Sequence, residues 1–351
     1  MGLFSSLFGK KASPQAPAAE PPAQPEPTPL DELREGLESA DGGARIDAAR
    51  ELLDRWRNGE VQAAEVFAPR LPGLLDDAEP LVRISALQGV RLLRKPENLQ
   101  SCESGVLGLL ADGVPQVRTA AIWAAIRLPG ETARAQVRAA VQSQDETLRF
   151  TAACALADAH DPAGLPELAA ALKDGYRRQE ALSALMSLGD PAALPHVAAL
   201  FEDESLAEFD RTLVAAALVR FGDARGGAHL VSRIETDSDD RPIAAEWAGR
   251  LGVQDAVPAL SELAENEGDP AQGAAIRALG RLKAPGAEER LLQLAADPGA
   301  AEDLRMDALE GLAELETPAA LELLRRIAED GPPELSQLCR ELLAEVQANA
   351  G

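Results

Sequence analysis

A short pattern returns ten times along the chain, about 32 residues apart, and it leaves few folds open. Its anchor is usually an arginine. A small residue follows three positions on, and usually a leucine seven on. The anchors are Arg45, Arg83, Arg118, Arg149, Arg178, Arg211, Arg241, Gln272, Arg305 and Ser336. Repeats of this length mark arrays of one structural unit, in which each unit buries its apolar face against the next. Such arrays offer a long surface rather than a deep catalytic cleft.

The stretch from Asp161 to Asp190 shows one unit in full. Pro162 opens a segment with Leu165, Leu168, Ala169 and Leu172 on one helical face, and Lys173-Asp174-Gly175 breaks it. Arg178, Ala181, Leu182, Leu185 and Leu188 then mark a second face at i, i+3, i+4, i+7 spacing. Gly189 stands where a glycine commonly closes a helix. Asp190-Pro191 begins the next unit, with an N-cap and a proline at the first helical position. Each unit therefore reads as helix, short turn, helix. Alanine at anchor+3 lets helices approach closely, and leucine at anchor+7 fills the layer between units. Strand signals are absent.

The expected fold is all-α: a right-handed α-solenoid of about ten helical hairpins over residues 30–351, with the repeating residues as its core. The chain resembles the HEAT-repeat family, and most closely its short, phycobilisome-lyase-type HEAT-like form. The residues that carry the resemblance are Val82-Arg83-x-x-Ala86, Val117-Arg118-x-x-Ala121, Ala184-Leu185-x-x-Leu188-Gly189-Asp190-Pro191 and Ala278-Leu279-Gly280-x-Leu282. Gln272 and Ser336 depart from it by losing the arginine. The resemblance implies a binding scaffold whose second helices line a concave surface. It also implies an enzymatic alternative, a subunit of a bilin lyase, for which no chromophore-holding residues stand out.

Net charge is −24, and the charges of residues 1–29 (Lys10, Lys11, Glu20, Glu26) cancel, so the acidity lies on the repeats. This disfavours nucleic acid, whose phosphates need a basic face. Cys154 and Cys339 fall at apolar positions of second helices and read as buried thiols. Cys102, Cys154 and Cys339 form no disulfide framework or metal motif. With no stretch of 18 apolar residues for a membrane span and an apolar start too short for a signal peptide, the expectation is a cytoplasmic protein.

Residues 12–29 carry Pro14, Pro17, Pro21, Pro22, Pro25, Pro27 and Pro29, and read as an extended spacer. Before it, residues 1–11 place Leu3, Phe4, Leu7 and Phe8 on one face, with Lys10 and Lys11 behind. Such a segment suits docking on the inner face of an anionic membrane or on a partner groove. A frayed terminus is the plainer reading.

No catalytic set, phosphate loop or dinucleotide motif appears, and neither a metal nor a cofactor is expected. His160 occupies an inter-repeat turn where other repeats carry glycine. Asp237-Ser238-Asp239-Asp240 lacks the glycine and distal glutamate of a calcium loop. It reads as a solvated helix start capped by Asp239 or Asp240. Arg220, Arg250 and Arg281 recur at anchor+9 in three repeats. Either they form a ladder that grips an acidic or phosphorylated segment, or they answer helix dipoles and pair with neighbouring acids. Trp123 and Trp247 stand at anchor+5 and anchor+6, as partner-binding anchors if exposed and as core if buried. The functional expectation is a non-enzymatic scaffold for a protein partner.

Overall fold

The computed structural model describes residues 29–349, and among these all regular structure is helical. The docking segment proposed from Leu3, Phe4, Leu7, Phe8, Lys10 and Lys11, and the spacer up to residue 28, lie outside the described residues. No described helix is long and apolar enough to cross a membrane.

Two compact units divide the chain, Met1–Asp190 and Pro191–Gly351. In the first, the anchors head or lie within the helices Gly42–Arg57, Pro80–Leu92, Pro115–Ala125, Glu146–Asp158 and Arg178–Leu188. These second helices of repeats 1–5 pack side by side in chain order, and each first helix lies against its own partner. In the second unit the corresponding helices are Glu208–Arg220, Arg241–Arg250, Gln272–Arg281, Glu302–Leu315 and Pro333–Asn349. They too pack in order.

A second helix touches its own first helix and a neighbour on each flank, so most of its circumference is covered. In Glu146–Asp158 every residue from Phe150 to Ala157 is buried. A helix apolar nearly all round is stable only in such a place. The anchor+3 alanines, from Ala48 to Ala308, are buried as expected, and so are the anchor+7 residues from Leu52 to Leu312. Approach is close where Gly280 faces Gly311: a Cβ on Gly280 would stand 2.4 Å from the Gly311 carbonyl oxygen.

Helix ends follow sequence chemistry. Gly189 closes its helix at φ 67°, and its N–H donates to the Leu185 carbonyl. His160 takes the same left-handed turn at φ 53° without glycine's freedom. Asp161 accepts from the Ala163 N–H, and Pro162 starts a 3-10 turn.

Candidate partner-binding surface

The anchor arginines are polar staples rather than core side chains, which corrects the expectation that every repeating residue is core. Arg83 Nη1 donates to the carbonyls of Asp77 and Ala78 in the turn before its helix, and Nη2 reaches Asp112 of the next repeat at 2.9 Å. Arg45 makes the same bridge to Asp77, Arg118 to Asp145, and Arg241 to Asp269. Side-chain bonds to charged partners are stronger than neutral ones, and here each closes a turn and joins it to the next. Both departures keep the carbonyl contact. Ser336 donates to the Ala328 carbonyl at 2.7 Å and accepts from Arg340 at 2.6 Å. Gln272 keeps its own, to Ala264 at 3.1 Å.

Away from the staples, the outward faces of the second helices differ between units. In the first unit, Ile46, Arg50, Leu81, Ile84, Gln88, Arg91 and Trp123 line two adjoining hollows of about 290 and 250 Å³. Leu81 is 47% exposed. The Arg91 guanidinium lies 5.3 Å from the centre of the Trp123 ring, a cation–π arrangement. Partial burial pushes the Arg91 pKa down. Asp158 opposes that shift, and the like charges of Arg57 and Arg127 add to it. Arg57 is tied to Gln88 at 2.8 Å and Asp54 at 3.5 Å. Among the described residues Arg50, Arg91 and Arg127 form no ion pair, although Asp54 lines the same hollow as Arg50 and the charge of Asp158 acts on Arg91. Sequence reasoning missed Arg50 and Arg91. The available signal was Arg127 in the same anchor+9 column as the expected ladder, with Trp123 four residues earlier on the same face.

The second unit spends its arginines differently. Glu246 is buried, and Arg250, Arg281 and Arg277 converge on it at 2.7, 2.5 and 3.5 Å. Burial alone would lift the Glu246 carboxyl, but Arg281, Arg277 and Arg250 outweigh it and hold the pKa below the ordinary value. Arg281 also reaches Glu314, and Arg277 is shared with Asp307 and Glu310. Burial raises the pKa of both Asp307 and Glu310, since one guanidinium serves several acids. The structure thus brings Arg250 and Arg281 together on one carboxylate and leaves Arg220 apart, exposed.

Trp123 is half-buried on the open face. Trp247 is fully buried, which decides between its two readings in favour of the core and removes it from the candidate partner-binding residues. One residue of difference, anchor+6 against anchor+5, turns a side chain by about 100° on a helix and carries it into the core. Asp240 needs correction too. It is a buried carboxylate, not a solvated cap. Arg233 holds it at 2.5 Å, the Thr212 hydroxyl donates to it at 2.5 Å, and burial is outweighed so that its pKa is lowered. Cys102, Cys154 and Cys339 are all buried free thiols. Among the described residues no group of three His, Cys, Asp or Glu side chains is placed to hold a metal ion.

The family model described as HEAT repeats matches residues 103–186 and 257–344, and that of the PBS lyase HEAT-like repeat matches residues 177–203. No curated protein matches the chain. Among structures, the chain is similar to a homology model of the full-length AP-3 complex in an intermediate open conformation. That match has TM-score 0.51 and 12% identity, and covers 92% of this chain and 70% of that one. Kap121p bound to Nup53p gives TM-score 0.40 at 15% identity, covering 90% of this chain and 40% of that one. Human deoxyhypusine hydroxylase in complex with glycerol gives 0.29 at 20% identity, covering 72% and 97%. At 12% identity the AP-3 likeness is one of fold. Repeats of this kind fit a protein-interaction scaffold.

Proposed function

This chain belongs to the HEAT-repeat family, and from that premise we propose that it is a non-enzymatic scaffold that holds an acidic segment of a protein partner along the second helices of repeats 1–3. The observation that carries this reading is Arg91 lying over Trp123 beside a hollow, with Arg50 and Arg127 on the neighbouring repeats and none of the three in an ion pair among the described residues. A protein of net charge −24 keeps Arg50, Arg91 and Arg127 out of ion pairs on one face, beside exposed Leu81 and half-buried Ile84. An extended acidic strand supplies the missing carboxylates, in charge-assisted bonds that arginine's fork favours. An apolar side chain of the same strand fills the hollow between Ile84 and Trp123. The net charge of −24 repels an acidic strand at long range, so this face must hold it by short-range bonds and apolar contact.

The test is direct binding of a fluorescein-labelled peptide of glutamates flanking one phenylalanine, read by anisotropy. Binding is expected to weaken with salt and to fall at least tenfold in the double variant Arg91→Glu, Arg127→Glu. Equal affinity of wild type and double variant would remove the reading, as would bilin attachment by the purified full chain. The proposal extends to a cytoplasmic protein tethered at the inner face of a membrane by residues 1–11. Sedimentation with anionic vesicles tests that part, with loss of partitioning expected when residues 1–11 are deleted.

A further inference from the structure

The sixth repeat makes its bridge to the next one in another way. Its anchor, Arg211, spends its bonds on the carbonyls of Phe201, Asp203 and Leu206 and on Glu208. The reach to the following turn passes to the neighbouring residue. Thr212 is fully buried, and its hydroxyl lies 2.5 Å from Asp240 and 3.3 Å from Nε2 of His229. Asp240 is itself buried, and Nε of Arg233 meets both of its oxygens at 3.1 Å. Burial alone would raise the Asp240 pKa, but Arg233 and Thr212 outweigh it and keep the group ionised. A carboxylate only accepts, so the single hydroxyl proton of Thr212 goes to Asp240. The hydroxyl then offers His229 a lone pair, and the ring must donate from Nε2. Neutral His229 is therefore the Nε2–H tautomer, and a second proton has only Nδ1 to take.

We propose that His229 is a proton-sensitive latch on the joint between the sixth and seventh repeats: neutral, it ties its own helix, Ala224–Glu235, to Thr212 and so to Asp240, and protonation loosens that joint. The charged groups around the ring leave no carboxylate for a further cation. Glu208 and Arg211 face it from Glu208–Arg220, Arg233 from its own helix, and Asp240 from the turn beyond. Glu208 is shared by Arg211 at 3.4 Å and Arg233 at 3.8 Å, and Asp240 is held by Arg233. One turn before His229, Arg225 is spent on Asp223 and Glu202. Arg241 turns to the Ile234 carbonyl and to Asp269. Asp255 and Glu235 stand at a groove on another flank of the helix. The remaining wall is apolar: the half-buried ring meets Phe201 edge-to-face at 5.4 Å. Burial, first, lowers the His229 pKa; Arg233 and Arg211 add to the shift, and Glu208 and Asp240 oppose it. Since the folded value lies below the ordinary 6.5, the latch contributes fully above that pH. Its contribution is lost as pH falls from there through the folded value. The inference is independent of the acidic segment proposed for the first unit: it concerns the second unit and a proton.

Two measurements on the full chain test the latch. The imidazole nitrogen shifts at about pH 7.5 report the tautomer directly, and Nε2–H is expected at His229. Hydrogen exchange, corrected for its intrinsic pH dependence, is then followed from about pH 7.5 to about pH 5.5, above the ordinary carboxylate range. Protection of the amides of residues 224–241 is expected to fall about threefold or more on acidification. Protection of Pro80–Leu92 in the first unit should stay constant. His229→Gln keeps a neutral N–H donor that does not titrate, and should remove the step. The tautomer and the wild-type step stand whether or not that variant folds. An Nδ1–H tautomer, an unchanged segment in the wild type, an equal fall in Pro80–Leu92, or the same step in His229→Gln overturns the proposal.

Discussion

The two units use arginine on and just past their second helices in opposite ways. In the first unit Arg91 lies over Trp123, and neither it nor Arg50 and Arg127 on neighbouring repeats forms an ion pair among the described residues. In the second, Arg250, Arg277 and Arg281 close on Glu246. The difference lies in one column of the repeat. Anchor+5 reads Arg50, Gln88, Trp123, Cys154 and Ser183 in the first unit, and Ala216, Glu246, Arg277, Glu310 and Glu341 in the second. A glutamate there lies four residues before anchor+9, the spacing at which a carboxylate and an arginine meet on a helix. Of the arginines at anchor+9, Arg250 alone has a glutamate one turn earlier, and that glutamate draws Arg277 and Arg281 of the next repeat into the same clamp.

The largest effect is expected from removing the clamp. Glu246→Gln leaves three partly buried guanidinium groups without their shared carboxylate, which should cost about 3 kcal/mol in urea unfolding. The same variant tests the pH dependence. Because the folded pKa of Glu246 lies below its ordinary value of 4.5, its contribution is fully present above that value. It is lost as pH falls through the folded pKa. Wild type should lose stability across that window more steeply than Glu246→Gln. Parallel curves would show that the carboxylate is not held by the arginines.

Breaking a staple comes next. Arg83→Ala removes two carbonyl bonds and the Asp112 pair and should cost about 2 kcal/mol, against about 1 kcal/mol for Ser336→Ala, which removes the Ala328 carbonyl bond and the bond from Arg340 but no inter-repeat pair. Equal losses would deny the inter-repeat part of the bridge. Converting the first unit's surface to the second's is the sharpest test of the comparison. Trp123→Glu places a carboxylate four residues before Arg127, and should abolish binding of the acidic peptide while changing stability by about 1 kcal/mol. Retained binding would show that the aromatic anchor and the free charges are dispensable. The smallest effect is expected at the left-handed turn. His160→Gly relieves the steric cost of φ 53° and should stabilise the chain by less than about 1 kcal/mol. The buried thiols give a further check. Burial pushes Cys339 up to about 11, so the native protein should resist thiol reagents until it unfolds.

Much of this was legible in the order of residues. The helix–turn–helix unit, the buried anchor+3 alanines and the αL glycine at 189 follow from periodicity and capping, which act over a few neighbours along the chain. The anchor's role was not legible. An arginine at the head of an apolar helix reads as spacing, and only the structure shows it reaching back across a turn and forward to the next repeat. The fate of the Arg220, Arg250 and Arg281 column was equally hidden, because pairing depends on residues 31–35 positions away, such as Glu246 with Arg277 and Arg281. Trp247 looked equivalent to Trp123 because a one-residue offset is small in sequence but large around a helix axis.

By itself, then, the sequence determined the repeat, the helical class, the acidity and the places where the pattern fails. Which arginines are spent and which are free was decided by tertiary structure alone. Local geometry sets where a side chain starts, but ion pairs form between whatever charged ends the packing of separate helices brings within reach. In the same way, the lost anchor at Gln272 was visible as a missing letter. Only the stacked turns show the cleft that opens beside it.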